Sequence, residues 1–117
     1  MAYVDGYVLA VPKDKIEDYR KIASMAGQVW REYGALSYVE CVADDVPKGE
    51  LTSFPRAVMA KDDETVVFAF ITYNSRQERD VINAKVMRDP RMQLDKESSP
   101  FDMKRMIFGG FEPIVQY

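Results

Sequence analysis

Residues 3 to 115 read as strand, helix, strand, strand, helix, strand, with bulky apolar side chains on both faces of the strands and only two long helices to cover them. A helix is about 10 Å across and strands lie about 4.8 Å apart, so two helices blanket one side of a four-stranded sheet and leave the other bare. An open face rich in Tyr, Phe and Val exceeds the apolar patch that soluble monomers usually carry. Two copies packing those faces together remove the problem, and closed two-fold dimers are the commonest oligomers. The pattern therefore predicts an α+β fold in β-α-β-β-α-β order, one domain over residues 1–117, and a homodimer. The competing solution is that the segment from Asp44 to Glu64 folds over the sheet.

The first strand, Tyr3 to Val11, alternates Tyr3, Asp5, Tyr7, Leu9 and Val11 with Val4, Gly6, Val8 and Ala10, and neither set suits water. Asp14 and Glu17 have capping-box spacing and open a helix. Ile16, Tyr19, Ile22, Ala23, Ala26, Val29, Trp30 and Tyr33 form its apolar stripe, and Gly34 ends it. Ala35 to Ala43 is the second strand. The excursion that follows carries a Pro47-Lys48-Gly49 turn, returns as a short edge strand from Arg56 to Ala60, and turns again at Asp62, Asp63 and Glu64. Thr65 to Tyr73 is β-branched and aromatic on both faces, so it belongs mid-sheet. Ser75 and Glu78 cap a helix reaching Arg88, where Asp89-Pro90 breaks it and Asp89 caps a further short turn. Ser98-Ser99-Pro100 is loop, and Arg105 to Phe111 is the last strand, with Gly109-Gly110 marking a bulge or a close backbone approach.

Composition narrows function mainly by exclusion. The chain of 117 residues has no histidine and a single cysteine, which removes the commonest catalytic and metal-binding constellations and any internal disulfide. No cofactor is expected, neither haem nor metal. A net charge of -3 argues against nucleic acid, whose affinity comes from Lys and Arg neutralising phosphates. No apolar run approaches the roughly 20 residues of a membrane helix, and the start shows no basic segment followed by an apolar stretch and cleavage site. Cytoplasmic residence is the expectation.

Four stretches carry a resemblance. Tyr3-Val4-Asp5-Gly6-Tyr7-Val8, Val39-Glu40-Cys41-Val42-Ala43-Asp44-Asp45-Val46-Pro47, Asp89-Pro90-Arg91-Met92 and Lys104-Arg105-Met106-Ile107-Phe108-Gly109-Gly110-Phe111, in this order, resemble the YbaA-like family of uncharacterised bacterial proteins over nearly the whole chain. That family is similar to the dimeric α/β-barrel superfamily, in which two ferredoxin-like sheets pair. The superfamily includes cofactor-independent monooxygenases, haem-degrading enzymes, lactone isomerases and ligand-binding domains, so the fold does not select the chemistry. Its histidine-ligated haem sites have no counterpart in a chain without histidine. Some relatives have carried an RNA-associated label, which the acidic balance here does not support.

The resemblance implies a homodimeric small-molecule-binding protein, with a cofactor-independent oxygenase or isomerase acting on a compact substrate within its range; the alternative is a non-catalytic ligand sensor or protein-interaction module. Asp5 and Arg105 fall on strands that ferredoxin-like order places side by side. They form either a structural ion pair or an anchor for a ligand carboxylate or enolate. Glu40 shares one face with Tyr38 and Tyr7 and serves either as a general base or as an exposed edge residue. Tyr7, Tyr38 and Arg105 are the candidate ligand-binding residues, and Asp5, Glu40 and Arg105 the catalytic candidates. Cys41, with no histidine to activate it, reads as a buried inert thiol. Asp44, Asp45, Asp62, Asp63 and Glu64 lack calcium-loop spacing and read as solvated turns. Trp30 and Tyr33 continue the core stripe, and Arg76, Arg79, Arg88 and Arg91, interleaved with acids, read as helix surface.

Overall fold

The computed structural model describes residues 2–93 and 99–117, so of the expected 98–100 loop Ser98 lies outside the described residues. A four-stranded antiparallel sheet runs in the order β2-β3-β1-β4, with β1 at Tyr3–Pro12, β2 at Ser37–Val42, β3 at Glu64–Tyr73 and β4 at Ile107–Phe111. This is the ferredoxin-like order. Helices α1 (Ile16–Glu32) and α3 (Arg76–Arg88) pack on one side, and α2 (Phe54–Ala57) is a single turn in the long excursion. Among the described residues no helix is long and apolar enough to cross a membrane.

Local chemistry sets most boundaries. The Asp14–Glu17 capping box does not form: a 3-10 turn, Lys13–Lys15, precedes α1, and Glu17 instead binds Arg20 at 3.0 Å. At its other end α1 closes with the Gly34 N–H on the Arg31 carbonyl and the Ala35 N–H on the Trp30 carbonyl, a Schellman motif that needs the left-handed φ of 115° at Gly34. The Ser75 hydroxyl caps α3 by accepting from the Glu78 N–H, and Asp89 caps the following turn, Pro90–Met92. The expected edge strand from Arg56 to Ala60 is absent. Ser53 caps α2 and Pro55 sits in its first turn, a combination that starts a helix instead.

The main core lies between the sheet and the helices. Ala26, Val29 and Trp30 of α1 meet Ile71 and Tyr73 of β3 and Ile82 and Val86 of α3, while Tyr19 packs on Leu9, Val11 and Val67. On the opposite face the excursion buries Val58 against Val8, Ala10 and Val66, and the Phe54 ring meets Phe68 edge-on at 6.0 Å. That cover is partial: Val39, Phe68, Ile107 and Phe111 stay exposed. Cys41 is also exposed, because β2 is an edge strand, which corrects the expectation of a buried thiol.

The last strand begins at Ile107 rather than Arg105, since Asp102 caps a 3-10 turn at Met103–Arg105 that lifts Arg105 off the sheet. No bulge occurs at Gly109-Gly110, because the register runs unbroken from Val8 opposite Ile107 to Val4 opposite Phe111. Close approach is what Gly110 provides: a Cβ there would overlap the Arg79 guanidinium and the Tyr3 ring.

Candidate functional site

Rows of residues across the sheet position the polar groups beneath the helices. Glu40 and Tyr7 flank Ala69 in one row, with Phe108 beyond Tyr7; Tyr38 and Asp5 flank Ile71 in the next, with Gly110 beyond Asp5. Gly27 lets α1 pass over Tyr38, since a Cβ at that position would come within 2.8 Å of the ring. Glycine in a helix interior costs about 1 kcal/mol relative to alanine, so the close packing at Tyr38 offsets a local penalty.

Between α1 and the β2 edge lies a cleft of about 500 Å³. Its walls are Ile16, Ala23, Val42 and Val67, and Glu40 sits in it beside Tyr19 and Tyr38. Tyr19 donates to Oε1 of Glu40 and Tyr38 to Oε2, so one carboxylate accepts from both phenols. Burial, reinforced by the Glu40 charge, pushes both phenols well above the usual tyrosine range. The exposed Arg20 and Arg31 also line the cleft. Arg20 forks onto Glu17, and Arg31 donates to the Ala35 and Leu36 carbonyls.

A second polar cluster lies under α3. Asp5, 5% exposed, has the Arg79 Nε 3.1 Å from its Oδ1 and accepts at Oδ2 from the Tyr73 hydroxyl at 3.0 Å and the Asn83 amide at 3.4 Å. The Arg79 Nε–H is not aligned on the carboxylate, so that contact is coulombic rather than a directed hydrogen bond. Arg79 also donates to the Tyr3 hydroxyl at 3.2 Å, with its guanidinium 4.9 Å from the Tyr3 ring centre, and Trp30 donates to Asn83 at 3.0 Å. Burial and the Asp5 charge raise the Tyr73 and Tyr7 phenols above their ordinary range.

Of the residues singled out by sequence, the fold brings Glu40 and Tyr38 into the cleft and sets Tyr7 and Asp5 in adjoining positions on the same face. The expected adjacency of Asp5 and Arg105 does not occur. Arg105 sits at the other end of β1, where Pro12 pairs with Glu64; it forks onto Glu64 at 2.7 and 2.8 Å and donates to the Met59 carbonyl at 2.9 Å, and the buried Glu64 side chain, at the start of β3, corrects its reading as part of a solvated turn. Met59 has a left-handed φ of 53°, unusual for a side-chain-bearing residue, and this clamp helps hold it. Arg79 supplies the cation at Asp5 instead, because α3 crosses that end of β1.

Arg79, expected on the helix surface, is thus a largely buried partner of Asp5, whereas Arg76 lies near Asp80 and Arg91 binds Asp89 and Glu32. Among the described residues no group of three or more metal-ligating side chains comes together. Tyr19, read from sequence as core, also lines the cleft and bonds Glu40; a tyrosine in a buried stripe needs a partner for its hydroxyl, and that was the available signal. Gly27 inside a helix is the other signal.

The family model described as "Protein of unknown function (DUF1428)" matches residues 2–103. The chain belongs to this family. It is 54% identical over 115 residues to the uncharacterized protein YbaA of Escherichia coli K12, covering 98% of each chain. Two solved structures share the fold at low identity. An uncharacterized NIPSNAP domain protein from Burkholderia xenovorans has a TM-score of 0.55 at 13% identity, over 97% of this chain and 95% of that one. A protein from Nitrosomonas europaea described as a candidate antibiotic biosynthesis monooxygenase has a TM-score of 0.53 at 16% identity, over 97% and 90%. At these identities the family's likeness to NIPSNAP and monooxygenase structures is a likeness of fold.

Proposed function

We propose that the protein is a homodimer that binds a compact, partly aromatic small molecule in the cleft between α1 and β2. The observation that carries this reading is a half-buried carboxylate, held by two phenols, in an apolar opening of about 500 Å³. Small-molecule pockets have volumes of roughly 300–1,000 Å³ and combine apolar walls with a few convergent polar groups. The homodimer part rests on the uncovered sheet face, where Val39, Phe68, Ile107 and Phe111 would be buried by a second sheet packed face to face. The single cysteine and the net charge of -3 fit a cytoplasmic protein without a nucleic-acid partner.

Turnover of the bound molecule by a cofactor-independent oxygenase or isomerase would use Glu40 as proton acceptor, with Tyr19 and Tyr38 holding its carboxylate in place. One observation favours a second reading, a non-catalytic ligand sensor: both carboxylates on this face already have partners, Asp5 with Arg79 and Glu40 with the tyrosines.

Mass spectrometry of copurifying molecules, thermal-shift screening and sedimentation test the proposal together. Sedimentation at twice the chain mass across the micromolar range is expected, along with a ligand-induced shift that Glu40→Ala removes. A persistent monomer overturns the homodimer, and a ligand shift indifferent to Glu40→Ala overturns the cleft.

A further inference from the structure

The groups in the cleft have a definite hydrogen-bonding polarity. An ionised carboxylate accepts at about four lone-pair positions and donates nothing. At Glu40 one position on each oxygen is taken, by Tyr19 and by Tyr38. Each phenol has spent its only proton on that carboxylate, so what it can still offer a third group is an oxygen lone pair. The phenols are also pushed towards staying protonated, by burial and by Glu40 itself. Together the three side chains form a surface of acceptors only, carrying one negative charge that neither partner neutralises.

The positive groups lining the cleft do not reverse this. Arg20 is matched by Glu17 at 3.0 Å, and Arg31 is turned onto the Ala35 and Leu36 carbonyls beyond the end of α1. Both are exposed, where water and salt weaken their reach. The contrast with Asp5 is direct, because there an arginine occupies the position beside the carboxylate. A ligand filling the cleft therefore gains most by bringing several N–H donors and a positive charge to Glu40 while laying an apolar body along Ile16, Ala23, Val42 and Val67.

We infer that the cleft selects a primary ammonium on a compact aromatic or apolar body, with the ammonium seated on Glu40 and the phenolic oxygens of Tyr19 and Tyr38. This inference rests on the cleft being the ligand site. Anionic ligands of the same size are disfavoured, because a carboxylate in that position would meet the Glu40 charge and two phenols whose protons are already committed to it.

The test compares 2-phenylethylamine, 2-phenylethanol and phenylacetate, which share a body and differ in charge, by calorimetric titration and thermal shift. The amine is expected to bind at least tenfold more tightly than the alcohol, and phenylacetate not at all. Raising salt from 0.05 to 0.5 M should weaken the amine and leave the alcohol unchanged. Glu40→Gln, which keeps the side chain's shape, should erase the amine's advantage. Ser24→Trp, at an exposed position lining the cleft, should weaken the amine and the alcohol alike.

Equal or tighter binding of phenylacetate, an amine preference that survives Glu40→Gln, or no detectable amine binding overturns the inference. If Ser24→Trp weakens all ligands without any amine preference, the cleft stands and the cation fails. Amine binding indifferent to Ser24→Trp removes the cleft itself.

Discussion

The helix-facing side of the sheet buries part or all of a carboxylate at two places, and their surroundings differ. At Asp5 a guanidinium lies within 3.1 Å, Tyr73 and Asn83 take the second oxygen, and Gly110 admits the arginine against the backbone. At Glu40 the partners are two neutral phenols, and about 500 Å³ stays open beside them. Counter-charge and filled space make Asp5 part of the fold. Neutral donors hold Glu40 in place but leave its charge and its remaining lone pairs for a third group.

The largest effect that could break this contrast is at Asp5. Asp5→Leu or Arg79→Met alone should destabilise the protein by about 2–3 kcal/mol in urea melts, below the usual cost of breaking a buried pair because water still reaches the arginine. The double variant should regain much of that loss, since neither charge is then left alone. Single variants as stable as the parent would mean that Asp5 is no more structural than Glu40.

Acid stability tests the displaced candidate, Arg105. Its hydrogen bonds hold the Glu64 carboxyl down at about 2, against an ordinary value of 4.5. The folded value lies below the unfolded one, so this contribution is present in full above about pH 4.5 and is lost as pH falls towards 2. Denaturation midpoints measured across that window should fall more steeply for the parent than for Glu64→Gln. Parallel curves would remove the clamp between Arg105 and β3.

A smaller effect is expected at the cleft's roof. Gly27→Ala gains about 1 kcal/mol of helix propensity and loses about 1–3 kcal/mol by overpacking Tyr38. A net destabilisation of about 1 kcal/mol should appear in urea melts, and a stabilised variant would show that α1 need not approach Tyr38 so closely. The smallest effect belongs to Glu40→Gln, expected within about 0.5 kcal/mol of the parent because no buried cation is orphaned. A loss as large as at Asp5 would erase the difference between the two sites.

Gly34 as a helix terminator, Ser75 and Asp89 as caps, and the strand character of Tyr3–Val11 and Thr65–Tyr73 were all legible along the chain, because capping, left-handed turns and alternation involve residues only a few positions apart. The start of α2 was equally local, in Ser53 and Pro55, but the aliphatic run after it reads as strand when those two are passed over. The pairing of Asp5 with Arg79 rather than Arg105 spans 74 residues and depends on where α3 crosses β1. The Glu40 cleft likewise depends on α1 passing over β2 at Gly27. Sequence by itself therefore determined the two long helices, the four strands of the sheet in outline and the family. Tertiary structure alone decided which charge meets which, because side chains distant along the chain acquire partners only when one element is laid across another.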